Sequence, residues 1–472
     1  MPKKLNILFL ASEADPFIKV GGLGDVAGSL PLALRALPSA KLDVRLAIPF
    51  HNIIRIESFP MQREVSFTIP RQGVEMPVEV FSTQIQGLTV YLISSDPIRS
   101  SETVYDVNPL ADSEKYIFFS LAALELARRL NWQPDVVHAN DWHTAISLYA
   151  MKRQNDDAFW DNTKTILSIH NLGYMGAGSE EVLAAYDLPP VDAPKLPAWA
   201  RHVPLPMGLW AADKIVAVSP TYAEEIQTPE YGCGLEMFLL SRRKRIMGII
   251  NGIDNTIWDP STDTFLSSNF KADSLPARSG IKSTLQAQFG LQVDPNIPLL
   301  GMVTRMDQQK GVDVALAALR ALPDEPWQAV LLGTGNTELE AAVRHLEMDF
   351  PSRVTAILRY DGKLAHQIYG GSDMLMMPSR YEPCGLAQMI AMRYGCIPVA
   401  RATGGLRDTI ADGQTGFLFA EASASAMSGA LLRGLASFRD QDGWRTMQLT
   451  AMAQDFSWER SALKYAELYR SL

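Results

Sequence analysis

The 472-residue sequence predicts an α/β protein of two doubly wound domains, each a parallel sheet with helices on both faces. Three observations carry that expectation. Short β-branched runs alternate with helical patterns from end to end. The runs are continuously apolar, as strands buried on both faces are. The rhythm breaks once, in a polar stretch after Asn251, and resumes at Pro298. A chain of this length is also too long for one core.

In the first half, strands are expected at 6–11, 44–49, 88–94, 135–139, 165–170 and 215–219, with a helix over 26–37. Residues 65–83 alternate more loosely and read as an antiparallel hairpin inserted in the first domain. The second half offers strands at 299–304, 329–333, 354–358, 374–377 and 398–400. The spacing of Trp458, Ala462, Tyr465, Leu468, Tyr469 and Leu472 predicts a closing helix that Ser457 can cap, its aromatic stripe serving as packing. These readings divide the chain into 1–255, 256–454 and a terminal helix at 455–472.

Composition narrows the function. Apolar residues make up 47% and charged residues 20%, which suits a globular protein with ample core. The 43 basic and 52 acidic residues give a net charge of −9. That argues against nucleic acid or an anionic membrane as partner, while allowing a local basic cluster around a phosphate. No apolar run approaches the ~20 residues of a membrane span. The apolar stretch 7–11 is too short for a signal sequence and reads as the first strand. Cys233, Cys384 and Cys396 form neither a disulfide framework nor a zinc spacing, so a reducing cytoplasm is expected.

Candidate chemistry gathers at strand ends, where open α/β sheets bind ligands. Lys19-Val20-Gly21-Gly22-Leu23-Gly24-Asp25 leads into the first helix, and its glycines let a ligand approach the backbone. Gly22, Gly24 and Ala27 formally match a dinucleotide fingerprint, but they do not directly follow the strand, and the next acid, Asp43, precedes the second strand. A mere tight turn is the plain alternative. His138-Ala139-Asn140-Asp141-Trp142-His143 ends another strand; Asp141 there is either a helix cap or a group that recognises hydroxyls, and no second cluster completes a metal set. His170, in Ser168–Tyr174, reads as a core histidine unless the three strand ends converge.

Arg305 and Lys310, in Val303–Gly311, can reach a diphosphate, the guanidinium bidentately and the ammonium as a point charge; a solvated surface pair is the alternative. Pro378-Ser379-Arg380-Tyr381-Glu382-Pro383-Cys384-Gly385-Leu386 joins an apolar strand to a helix. Glu382 offers an acceptor for sugar hydroxyls or caps the helix, and the N–H groups after Gly385 favour an anion. Cys384 reads as packing or access, no histidine lying nearby in sequence. Thr403-Gly404-Gly405-Leu406 repeats the device of glycines at a helix start.

Taken together, these stretches resemble glycosyltransferase family 5, the bacterial glycogen synthases and plant starch synthases, along nearly the whole chain and in the family's order. Asn251–Trp258 is similar to a further signature. The resemblance implies a GT-B fold, two Rossmann-like domains facing across a cleft, with the last helix returning to the first domain. It implies retaining transfer of glucose from ADP-glucose to the non-reducing end of an α-1,4-glucan, without a cofactor or metal. Carried over by motif, Lys19, Gly22 and Asn251 would meet the donor, and Asp141 and His170 its glucose. Arg305 and Lys310 would hold the diphosphate, with Thr403 nearby. Glu382 would position the sugar, Cys384, Gly385 and Leu386 would line the site, and Tyr360 would stack on the base.

The chemistry then needs negative charge stabilised on the leaving diphosphate, the electrostatic term that usually dominates. A two-carboxylate retaining scheme would require a second acid, for which Asp141 is the candidate. A same-face substitution is the favoured reading, in which the leaving phosphate helps deprotonate the acceptor; that the His170 carbonyl stabilises the ring is what the resemblance implies. The lone Asp-x-Asp, Asp440-Gln441-Asp442, lies far from any strand end. The alternatives are a retaining glucosyltransferase using UDP-glucose, a glucan-binding protein with a decayed site, and a dehydrogenase.

Overall fold

The computed structural model describes residues 3–38, 40–153 and 157–472. The chain divides into two compact units, Met1–Gly252 with Trp458–Leu472, and Ile253–Ser457. These divisions fall slightly outside the expected 256–454, because Ile253 bridges to Ser457 and its N–H donates to the Phe456 carbonyl at 2.8 Å, tying both chain crossings into the second unit.

In the first unit nine strands form one sheet: β1 (Leu5–Leu10), β2 (Leu42–Pro49), β3 (Gln62–Arg71), β4 (Val74–Ile85), β5 (Leu88–Ser94), β6 (Val136–Asn140), β7 (Lys164–Ile169), β8 (Lys214–Ala217) and β9 (Ile246–Gly248). Their order is β3-β4-β5-β2-β1-β6-β7-β8-β9. All neighbours are parallel except β3–β4 and β4–β5. The hairpin expected as an insertion is therefore the antiparallel edge of the main sheet. On β3 buried residues alternate with exposed ones, one face on protein and the other in water, which explains its looser pattern. Chain order reverses between β1 and β6, so a ligand site is expected beyond their carboxyl ends.

The second unit holds six parallel strands, β10 (Leu299–Val303), β11 (Gln328–Leu332), β12 (Val354–Ile357), β13 (Met374–Met377), β14 (Ile397–Arg401) and β15 (Phe417–Phe419), ordered β12-β11-β10-β13-β14-β15. Its switch point lies between β10 and β13, the strands that precede the Arg305–Lys310 and Pro378–Leu386 segments. The sequence reading lacked β15 and gave β9 no bounds, only a strand ending in Asn251-Gly252. Each is three residues long and pairs on one side only, at a sheet edge, too short to show a period.

The last helix, Trp458–Arg470, belongs to the first unit. Trp458, Ala462, Tyr465, Ala466 and Tyr469 share one buried cluster with Val26, Ala27, Leu30 and Leu34 of the Gly22–Ala36 helix. The Tyr469 hydroxyl lies 2.7 Å from His138 Nδ1, and Ser168 Oγ lies 2.7 Å from its Nε2, so this histidine stitches the helix to the sheet. Burial pushes His138 down to about 3, which keeps it neutral.

Candidate active site

At the second unit's switch point the chain builds a cation–carboxylate pair. Lys310 Nζ donates to Glu382 Oε1 at 2.9 Å and Oε2 at 2.6 Å, and Ser379 Oγ donates to Oε2 at 2.9 Å. Glu382 is 5% exposed. Its carboxylate thus serves the lysine and serine; its backbone carbonyl meets the next motif by accepting from Gly405 N at 3.0 Å. Met302, Thr304, Lys310, Glu382 and Leu386 are among the residues lining a cavity of about 70 Å³.

Two glycines make this approach possible. Gly311 has φ 64°, and a Cβ there would sit 2.1 Å from the Pro378 carbonyl oxygen. Gly404 has φ 43°, and a Cβ there would sit 2.0 Å from the Glu382 carbonyl oxygen. Thr403, buried, opens the Gly404–Thr409 helix. Gly385, at φ 72°, and Leu386 precede the Ala387–Arg393 helix, whose first N–H groups have no partner within a helix. Gln388 fastens this turn, donating to the Cys384 carbonyl at 3.0 Å and the Gly385 carbonyl at 2.9 Å. Cys384 is buried.

Arg305 is largely exposed, its guanidinium 3.3 Å from Asp307 Oδ2. Tyr360 is 87% exposed, a ring the protein interior does not use. Neither lines the 70 Å³ cavity.

In the first unit Asp141 takes the left-handed conformation, φ 53°. This aims its carboxylate across the sheet: Oδ1 accepts from His170 N at 2.7 Å and Asn171 N at 3.3 Å. It does not cap its own helix; Thr144 Oγ1 accepts from Asn140 N instead, at 2.6 Å. Burial pushes the Asp141 carboxyl up to about 7, against the lowering effect of the two N–H groups. Asn140 Nδ2 donates to the Leu10 carbonyl at 2.9 Å, so its Oδ1 accepts from His170 Nε2 at 2.8 Å. His170 therefore carries its proton on Nε2, and burial holds its pKa down at about 4. Of the other histidine in the motif, Nδ1 of His143 is buried without a partner among the described residues, and the ring packs against Tyr105, Tyr116 and Trp142.

Lys19 pairs with Asp25 at 2.5 Å, and Gly22, exposed, opens the helix with no atom within 4 Å of a would-be Cβ. Asn251 is 6% exposed, with Oδ1 unpartnered among the described residues. A buried, unsatisfied acceptor of this kind suits a ligand donor.

Sequence reasoning missed the groups beyond β1. Glu13, 1% exposed, accepts from Val20 N and, at 3.2 Å, from Gly21 N, so its carboxylate shapes the glycine loop. Tyr105 donates to Glu13 Oε1 at 2.9 Å and lies 3.0 Å from Ser12 Oγ. Desolvation raises the Glu13 pKa above the usual carboxylate value, its hydrogen bonds opposing. The signal was available: residues 12 and 13 follow a strand end at the switch point, just as Asp141 does. Among the described residues no group of three or more His, Cys, Asp or Glu side chains is arranged to hold a metal. No helix among them is long and apolar enough to cross a membrane.

Comparison with known proteins agrees with this architecture. Residues 6–241 match the model of the starch synthase catalytic domain, and residues 284–441 that of glycosyl transferases group 1. The chain is 40% identical to a glycogen synthase of Anaeromyxobacter sp., over 99% of each chain. It is 38% identical to that of Syntrophotalea carbinolica, over 99% of this chain and 98% of the relative. Among solved structures, the catalytic domain of starch synthase IV from Arabidopsis thaliana, bound to ADP and acarbose, superposes with TM-score 0.88 at 31% identity, over 99% of each chain. A sucrose-phosphate synthase from Thermosynechococcus elongatus shares the fold, with TM-score 0.65 at 20% identity, over 99% of this chain and 98% of that one.

Proposed function

The chain belongs to the glycogen and starch synthase family, α-1,4-glucan glucosyltransferases of GT-B fold, and from that premise we propose that its donor is ADP-glucose and its acceptor the non-reducing end of an α-1,4-glucan. The observation that carries the site assignment is the Lys310–Glu382 pair at the β10/β13 switch point. There an ammonium is held beside helix N-termini, a combination suited to a diphosphate.

In this reading Lys310, Arg305 and the N–H groups from Gly385 onward take up the charge that grows on the leaving ADP. Glu382, fixed by Lys310 and Ser379, accepts from the glucose hydroxyls. Thr403 and Cys384 support that turn, and Tyr360 stacks on the nucleobase. Lys19, Gly22 and Asn251 contact the donor from the first unit's residues, and Asp141 and His170 its sugar. Because both Asp141 oxygen contacts are backbone N–H groups of the segment carrying His170, its part is to orient that segment and a sugar hydroxyl rather than to attack carbon. The departing phosphate then deprotonates the acceptor hydroxyl on the face it leaves, which retains anomeric configuration. The donor itself supplies the reacting group, with no further cofactor, and a cytoplasmic setting is part of the same proposal.

The ADP in the starch synthase IV structure supports the donor assignment at 31% identity. Rates with ADP-glucose and UDP-glucose, using glycogen as acceptor, test it: faster transfer from ADP-glucose is expected, and a strong uridine preference would refute the donor. Digestion of the product by an α-1,4-specific exoglucanase tests the linkage.

A further inference from the structure

Behind the glycine loop lies a buried cation that the chemistry above does not use. Lys115, in the Pro109–Arg129 helix, is 0% exposed. Its ammonium lies 2.9 Å from Asp112 Oδ1 and donates to the carbonyls of Val104 at 2.8 Å and Thr103 at 3.1 Å. Ser101 Oγ is 3.3 Å away. Asp112 in turn accepts from Asp106 N at 2.9 Å, and the Tyr116 hydroxyl donates to the Val104 carbonyl. The backbone on both sides of Tyr105 is thereby fastened to one buried ion pair.

We propose that Lys115 is a positioning residue for glucosyl transfer: it fixes the 101–106 loop so that the Tyr105 hydroxyl holds Glu13, and Glu13 holds the Val20–Gly21 backbone next to Lys19. The chain of contacts is continuous and each link is polar. Burying an ammonium is costly unless it is paired and fully hydrogen-bonded. An apolar side chain fills such a space at no electrostatic cost, but it cannot hold two successive carbonyls. The return on the lysine is therefore conformational. It specifies one arrangement of a loop whose apolar anchorage is Val104 and the Tyr105 ring, Glu102 and Thr103 being exposed.

The inference rests on the proposed site to the extent that turnover is its readout. The experiment is a double-mutant cycle on the full chain, with ADP-glucose and glycogen, using Lys115→Met and Tyr105→Phe. Lys115→Met is combined throughout with Asp112→Asn so that no carboxylate is stranded. Expected is a loss of about 10- to 100-fold in kcat/KM for the donor, the scale of an ångström-size misplacement. KM for glycogen should stay within about twofold, since an effect of about 0.4 kcal/mol or less marks an uncoupled site. The Lys115 substitution should add little once Tyr105 is Phe. Wild-type kinetics in the Lys115 variant, a silent Tyr105→Phe, or multiplicative losses in the combined variant would each overturn the inference. If the Lys115 variant does not yield folded protein, Tyr116→Phe, which removes the second donor to Val104, enters the same cycle. It is expected to cost about fivefold, the scale of one hydrogen bond, and an unchanged rate overturns the inference. Lys310→Ala in the same assay separates the two claims. If it is silent, the donor site is wrong, whatever the cycle shows.

Discussion

At the scale of single residues, the structure separates charges that are committed from charges that are available. Glu382 and Lys310 are committed to each other, and the pair is nearly closed to water on the carboxylate side. Removing the lysine strands a buried carboxylate, which for well-buried pairs costs roughly 3–5 kcal/mol; removing both partners costs less. Lys310→Met is therefore expected to melt at lower temperature than Lys310→Met/Glu382→Gln, while both lose at least about 100-fold in turnover, as for a lost transition-state contact. A double variant less stable than the single one would contradict the pairing. Asp141 gives a prediction in pH. Its pKa is raised to about 7 in the fold against about 3.9 for a free side chain. Between those values the folded state binds the extra proton, so stability from this group falls as pH rises from about 4 to 7 and stays lowered above. Asp141→Asn keeps the acceptor for His170 N and tolerates a positive φ, so it should raise the melting temperature relative to wild type more at pH 8 than at pH 4.5. Equal shifts at both pH values would remove the titration argument. Lys310, Glu382 and Asp141 were legible in the sequence because each follows an apolar strand. Glu13 carries the same signal, although the sequence reading passed over it; Tyr105 and Lys115 were not legible. Tyr105 and Lys115 lie in a loop and mid-helix, and only tertiary contact gives them meaning.

At the scale of elements, continuous apolar runs located eleven strands and the terminal helix because burial on both faces leaves a strong pattern. What the runs do not carry is pairing. Nothing local tells β4 to add to β5, or lets β9 and β15 close the sheet edges with three residues each. The terminal helix shows the same limit. Its aromatic stripe predicted packing, but not that one of the rings reaches a buried histidine. Tyr469→Phe keeps the ring and removes the hydroxyl beside His138 Nδ1. Leaving a buried polar atom without its partner costs about 1–3 kcal/mol. Thermal or urea unfolding should show that loss, with donor kinetics unchanged. A neutral Tyr469→Phe would mean that water replaces the hydroxyl.

At the scale of the whole molecule, the two units differ in how the chain builds them. The second is one continuous segment, Ile253–Ser457, with its own six-stranded sheet and the Lys310–Glu382 pair inside it. The first is assembled from both ends of the chain. Its cluster around Val26, Leu30 and Leu34 is completed by Trp458, Ala462, Tyr465 and Tyr469, and Gly252 packs so closely on Trp458 that a Cβ would sit 2.7 Å from that residue's Cα. A fragment of residues 253–457 buries a full core and is expected to unfold cooperatively and to bind ADP by calorimetry. A fragment of residues 1–252 lacks one wall of its core and exposes a contiguous apolar patch on the Gly22–Ala36 helix. It should aggregate alone and become soluble when residues 453–472 are supplied in trans as a peptide or fused by a flexible linker. Should 1–252 fold stably by itself, the returning helix would be an accessory, and the core assigned to it would have to be redrawn.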